Sequence, residues 1–409
     1  MSHDTNTSKE PANLLSKQFS TDKPMIDQIP GRKKQILRES PESELKMEEF
    51  LLNVGPQHPS THGVLRLVVA LEGEVIKRCD PDLGYLHRTF EKISESRNYQ
   101  QIVPFTDRMD YLGSMNANWG VAVAVEKLAN IEVPERAEYL RVIVSELNRI
   151  ASHLMWMGAF GADIGAVTAF LYGFRERELI LDMFEEICGS RLTYGYIRVG
   201  GVAEDITPKF EKLAREFLDI LPGKLLDYHN LITGNPIFVE RTRGVGSITL
   251  EEAISYGVTG PMLKACGMPW DLRKEEPYSV YPKFNFDIPV YYNGDCFDRF
   301  RVRMDEIVES AKIVRQALDG LPAGDYKVKK LARNIKPPVG DVYVRQEAPR
   351  GEYGVYMQSD GTVRPNRVKY RTPSFSNLSI LPLMTVGWKI ADLVAILGSV
   401  DIVLGDVDR

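Results

Sequence analysis

Apolar residues recur along this chain with two different periods. From Val64 to Leu71 the run VLRLVVAL is aliphatic and β-branched, and Glu72-Gly73 separates it from the shorter EVIK, which predicts a hairpin in a small β layer. Farther on the period lengthens. Ser114 stands as a cap ahead of SMNANWGVAVAVEKLA. Pro134 takes a first helical position before Leu140, Ile143, Val144, Leu147, Ile150 and Leu154, whose three- and four-residue spacing predicts a helix that buries one face. Thr207-Pro208, the capping box of Thr249 with Glu252, and Asp295 mark further helix starts, the last opening a long helix that ends at Gly320. After a loop rich in Lys and Pro at 327–340, DVYVRQEA, GVYMQ and NRVKYR alternate as strands, with Asp360-Gly361 as the turn between the last two. The pattern therefore predicts an α+β chain with a mainly helical core and β layers near both ends. Its parts are an exposed arm over 1–46, which has no sustained apolar period, a β-rich domain over 47–105, a helical core domain over 106–325, and a β-rich segment over 326–409 that packs on the core.

Met155 to Phe174 is an apolar stretch of nearly membrane-spanning length whose only charge is Asp163. A central aspartate is costly in lipid, and Gly158, Gly161, Gly165 and Gly173 point to close helix packing or a broken segment, so a buried helix is expected instead. Asp163 is then a carboxylate in apolar surroundings, either one half of a structural ion pair or a functional proton group.

Composition narrows the classes of function. In 409 residues, 44% are hydrophobic and 26% charged, which excludes a disordered chain. The net charge of -5 provides no general attraction to nucleic acid or to an anionic membrane. No secretory signal pattern opens the chain, so a cytosolic setting is expected. Cys79, Cys188, Cys266 and Cys296 stand singly, without the paired spacing that begins a zinc or iron–sulfur site, and no metal or cofactor is expected to be bound by this chain alone.

Strong catalytic motifs are absent: there is no phosphate-binding loop, dinucleotide fingerprint, zinc-protease pair or nucleophile elbow. Gly244-Val245-Gly246 reads as a turn. Chemistry concentrates in NVGPQHPSTHG, where prolines hold His58 and His62 on a loop; without an acidic or Cys partner the pair makes a poor metal site, and hydrogen-bonded turn histidines are the ordinary reading. A second cluster, TDRMDYLGSMNAN, places Asp107, Arg108, Asp110 and Tyr111 before a helix, where such groups often only cap; FRERE at 174–178 reads as a solvated ion-pair network.

Together, NVGPQHPSTHGVLR, GYLHRTFEK, DRMDYLGSM, RVIVSELNRIASHL, FRERELILDMFE, YIRVGGV, RGVG, RGEYGVY, RVKYRTPSF and GDVDR occur in the order found in the quinone-site subunit family of respiratory complex I. The resemblance, which covers about residues 49–409, is to the D subunit of bacterial NADH:quinone oxidoreductase, the forty-nine-kilodalton subunit in mitochondria. It implies a fold like the large subunit of nickel–iron hydrogenases. The two cysteine pairs that hold the hydrogenase metal are missing from the matching ends, GYLHRTFEK and VDIVLGDVDR, so a vacated cavity that receives a quinone is implied.

Carried over by residue, the resemblance makes His62 and Tyr111 the quinone-binding pair and, with Asp163 as the acidic partner of the histidine, the catalytic residues; His58, on the same loop, is a candidate supporting residue. A His and a Tyr can each donate to one carbonyl oxygen of the quinone. Arg108 matches an arginine near the terminal iron–sulfur cluster of a neighbouring subunit. Tyr194, in RLTYGYIRVGG, stands where many members carry a histidine, which leads to the expectation of a cluster potential with little pH dependence near neutrality. The resemblance implies as partners the B subunit, which bears the terminal iron–sulfur cluster, the C subunit, the H and A membrane subunits of the quinone channel and other complex I subunits. It places the chain as a peripheral protein on the cytoplasmic face of the bacterial inner membrane, in a proton-translocating enzyme. A mainly scaffolding role, and a related complex fed by ferredoxin or a deazaflavin, are the alternatives.

Overall fold

Strand β1 (Phe50–Val54) begins the part of the chain seen in the computed structural model, which describes residues 49–58 and 63–409. The arm expected over 1–46, and His62, lie outside the described residues. β1, β2 (Arg66–Glu72) and β3 (Val75–Asp82) form an antiparallel sheet in which Leu52 opposes Val69 and Glu72 opposes Val75. The hairpin turn is therefore Gly73-Glu74, one residue later than the pattern indicated, because the positive φ of 61° falls on Gly73. Leu67 and Val69 alternate into the core, and beyond them Ala70 and Leu71 are both buried where the register shifts.

Helices α1 (Phe90–Ser96) and α2 (Tyr99–Thr106) lead to α3 (Ser114–Ala129). Ser114 is not the cap: Gly113 holds that position, Ser114 is the first helical residue, and its hydroxyl donates to the Tyr111 carbonyl at 3.1 Å. Likewise Pro134 precedes α4 (Glu135–Asp163) with extended ψ instead of opening it. The expected apolar face of α4 is buried, but so is the opposite one, where Arg141, Glu146, Arg149 and His153 are 0% exposed. Arg141, Glu146 and His153 pair with Glu126, Arg273 and Glu306 of other segments, and Arg149 pairs with Glu146 within the helix and donates to the Glu347 carbonyl, which lets α4 run through the middle of the molecule.

The apolar stretch 155–174 is two helices, because α4 ends at Asp163 and α5 (Val167–Cys188) turns back along it after Gly165, whose φ is 99°. Small residues permit the close return: a Cβ on Gly173 would stand 2.5 Å from the Leu154 carbonyl oxygen, and one on Gly161 2.7 Å from the Ala169 methyl. The short pair β4 (Ile197–Arg198) and β5 (Gly201–Val202) follows. Next comes α6 (Pro208–Tyr228), capped by Thr207 as expected. The Thr249–Glu252 capping box forms, and α7 (Cys296–Asp319) starts at the Asp295 cap and ends at Gly320. β6 (Gly340–Ala348), β7 (Gly351–Ser359) and β8 (Pro365–Arg371) make a second antiparallel sheet lying on α3. The chain closes with α8 (Pro373–Leu378), α9 (Ile390–Val400) and α10 (Leu404–Asp408). One hydrophobic core takes residues from β2, α3, α4, α7, β7 and α9. Among the described residues no helix is long and apolar enough to cross a membrane.

Candidate functional site

The turn between α2 and α3 is shaped by Asp110, whose Oδ1 accepts the backbone amides of Leu112 at 3.2 Å and Gly113 at 3.0 Å. Gly113 is required, since a Cβ would lie 2.6 Å from Asp110 Oδ2. This fold-back buries Asp107 and Asp110 and leaves Arg108 exposed and Tyr111 37% exposed. The cluster is thus more than a set of helix caps. Arg350, on the turn between β6 and β7, donates through Nη1 to both Asp110 oxygens at 2.9 and 2.8 Å and through Nη2 to Asp401 at 3.1 Å. Desolvation raises the Tyr111 pKa, and Asp110 and Asp401 raise it further against the opposing charge of Arg350, so the phenol remains a proton donor at neutral pH.

Asp163 is not mid-helix but the last residue of α4, and it is half-buried. It lies beside the last turn of α9, where a Cβ on Gly398 would be 3.3 Å from its Oδ2. Asp401, three residues beyond Gly398, belongs to the carboxylates felt by Tyr111, so the end of α9 connects the two positions. A Cβ built on Gly63, the described neighbour of His62, would lie 3.6 Å from the Leu404 side chain. α10 in turn touches the Arg108 and Met109 carbonyls at Gly405. His58 is exposed on the loop after β1.

Arg108 and Tyr194 line one cleft of about 680 Å³, together with Pro104, Asp107, Gly195 and Arg198. Burial pushes the Tyr194 hydroxyl well up, and it stays neutral as expected. The expectation of a pH-independent cluster potential rested on Tyr194 alone, and Asp107 is a second titratable group in the same cleft. Burial raises that carboxyl to about 7, against the Gly195 amide, Asn118 and Arg108, which favour its charged form. A hollow of about 420 Å³ by Tyr172, Arg175 and Asp227 contains none of the expected site residues.

Other parts of the constellation escaped sequence reading. The segments GYLHR and GDVDR meet: Gly84 and Leu86 amides donate to the two Asp408 carboxylate oxygens at 2.9 and 2.7 Å, and His87 Nδ1 donates to the Asp408 carbonyl at 2.6 Å. A buried chain of charges crosses the core, with His153 bonded to Glu306 at 2.7 Å and Lys264 donating to Glu306 at 2.8 Å and Asp271 at 2.7 Å. Burial lowers the His153 pKa. In FRERE, Arg175 and Glu178 are exposed ion-pair members as expected, whereas Glu176 is buried and accepts from Arg175 and the Tyr228 hydroxyl. Among the described residues no group of His, Cys, Asp and Glu is arranged to hold a metal ion, and the four cysteines are free.

Comparison with known proteins agrees with the resemblance in the sequence words. A family model described as respiratory-chain NADH dehydrogenase, 49 Kd subunit, matches residues 163–409. A protein of Desulforamulus reducens, named as the D subunit of NADH-quinone oxidoreductase, is 54% identical over 364 residues, covering 89% of this chain and 99% of its own length. Proteins of the same name from Bacillus anthracis and Geobacillus thermodenitrificans are 54% and 53% identical, each over 89% of this chain and 100% of their own length.

Proposed function

The chain belongs to the 49 kDa subunit family of the respiratory-chain NADH dehydrogenase, as one member of an oxidoreductase complex whose other subunits are its partners, and from this premise we propose that it forms the quinone-reduction site. The observation that carries the reading is the turn after α2: three residues apart, Arg108 lines the cleft beside Tyr194 while Tyr111 joins Arg350 and the end of α9. In this reading the cleft receives the B subunit with its terminal iron–sulfur cluster, and electrons cross that short turn to a quinone held by His62 and Tyr111. Reduction takes up two electrons from the cluster and two protons, one delivered to each carbonyl oxygen by the imidazole and the phenol. Asp163 orients and charges the imidazole, and His58 supports the loop. The C, H and A subunits complete the chamber and lead the quinone in from the bilayer on the cytoplasmic face of the bacterial inner membrane, and the reaction drives proton translocation. The relation to the hydrogenase large subunit, with β layers enclosing a vacated metal cavity, is part of the same proposal and is supported by the meeting of GYLHR with GDVDR.

The test is NADH-driven quinone reduction by the assembled complex carrying Tyr111→Phe or His62→Ala. Each change is expected to lower quinone reduction by about 100-fold, the scale of a lost general acid, with reduction of a water-soluble acceptor at the NADH end unchanged. Full quinone reduction in a correctly assembled His62→Ala complex would instead favour a scaffolding role.

A further inference from the structure

The C-terminal helix α10 bears a buried carboxylate, and its backbone packs against the turn that carries Tyr111. Its approach depends on Gly405, where a Cβ would stand 2.5 Å from the Met109 carbonyl oxygen. The next residue, Asp406, is 0% exposed. Its Oδ2 accepts the Ser374 amide of α8 at 3.0 Å, while Oδ1 is enclosed by protein and makes no hydrogen bond. The titratable and charged groups that face Asp406 come from other elements: Asp110 from the turn, Arg350 from between β6 and β7, and Tyr353 from β7.

Asp110 is already occupied as a carboxylate, accepting two backbone amides and Arg350. Asp401 is shared between Arg350 and Arg303, the latter at 3.4 Å. Two carboxylates thus balance two guanidiniums, and an ionised Asp406 would add a buried charge with no counter-ion of its own. The protonated form is favoured, and burial together with Asp110 raises the Asp406 pKa to about 7. A proton stored there is held weakly enough to be released during turnover at neutral pH.

We infer that Asp406 is the proton reservoir that reloads Tyr111. This rests on the reading of Tyr111 as a proton donor to quinone. When the phenol has given up its proton, the Asp406 O–H bond breaks, the proton passes by way of the Asp110 carboxylate, and the Tyr111 O–H bond re-forms. No electron moves in this step. The negative charge shifts from the phenolate to Asp406, where the Ser374 amide donates to it, and bulk water returns the proton between turnovers. Asp406 acts through Tyr111 and does not touch the quinone, so it is a positioning and relay residue.

The experiment is the pH profile of NADH-driven reduction of a short-chain benzoquinone by the assembled complex with Asp406→Asn, Asp406→Glu and Tyr111→Phe. Wild-type kcat is expected to decline as pH rises through about 7. Asp406→Asn is expected to lower kcat about tenfold with KM unchanged and to abolish that limb, and Asp406→Glu to restore kcat with the limb displaced. Wild-type kcat and profile in Asp406→Asn would overturn the inference, as would equal losses in both Asp406 variants with a raised KM, which marks a packing role. Should Asp406→Asn not assemble, Asp406→Glu decides, since a displaced limb supports the relay and an unmoved limb overturns it. Full activity in Tyr111→Phe removes the quinone-site reading itself; an inactive Tyr111→Phe beside a wild-type-like Asp406→Asn removes only the reservoir.

Discussion

Asp107 sits on the floor of the Arg108–Tyr194 cleft with its carboxyl raised from 3.8 to about 7 by burial. Between those two pH values the folded chain keeps a proton that the unfolded chain has released, so this contribution to stability is fully present below pH 3.8 and is lost as pH rises through about 7. Asp107→Asn should therefore gain on wild type by a few kcal/mol at pH 8 but not at pH 4, which denaturant unfolding of the two proteins at both pH values would measure. Equal pH dependence of the two proteins would contradict the shifted carboxyl. Under the proposed function, in which a partner's iron–sulfur cluster docks in the cleft, adding an electron to that cluster should draw a proton onto Asp107. The cluster potential is then expected to fall with pH between about 6 and 8, and to flatten in Asp107→Asn, as followed by a redox titration. The expectation of a flat profile came from Tyr194 standing in place of a histidine and took no account of Asp107, which only its enclosure by α3 and the Gly195 segment makes titrate near neutrality.

The α4–α5 pair depends on glycines that serve different ends. Gly173 is needed for space, and Gly173→Ala would drive a methyl into the Leu154 carbonyl; a loss of about 2–3 kcal/mol is expected, read as a lowered midpoint of thermal unfolding. Gly165 is needed for its backbone: nothing lies within 4 Å of a Cβ there, so Gly165→Ala should cost only about 1–2 kcal/mol, for a residue held at positive φ. If the two losses are reversed in size, the close return of α5 on α4 is wrong. Element starts were legible wherever a side chain could reach its own backbone, as at Thr207, Thr249 and Asp295. They slipped by a residue at Ser114 and Pro134. At Ser114 a side chain from the preceding turn, Asp110, organises the entrance, and Pro134 sits in extended conformation before the first helical residue.

Charges threaded through the core make the molecule sensitive to single neutralisations. Lys264 is fully buried among Asp271, Glu306 and Glu347, and its ammonium is shared by all three carboxylates, of which Asp271 also pairs with Arg273. Lys264→Met would leave them facing one another without it, and the expected loss of about 3–5 kcal/mol should appear as failure of the protein to accumulate or assemble at the growth temperature. A variant of ordinary stability would show that the carboxylates take up protons at little cost. None of this network is visible as a pattern, because its members come from α4, α7, β6 and the segments between α6 and α7, and sequence distance carries no information about such pairings. The two ends GYLHR and GDVDR likewise meet across more than 300 positions. Local physics decided the strands that alternate toward one face, the helix starts with a capping side chain and the α+β succession, since each depends on neighbours within a few residues. Tertiary packing decided that α4 is buried all round, that an apolar stretch breaks into two helices, and that Tyr111, Arg350 and the carboxylates at the ends of α9 and α10 form one charged group. The energies of those features come from desolvation and from partners supplied by other elements, which no local pattern records.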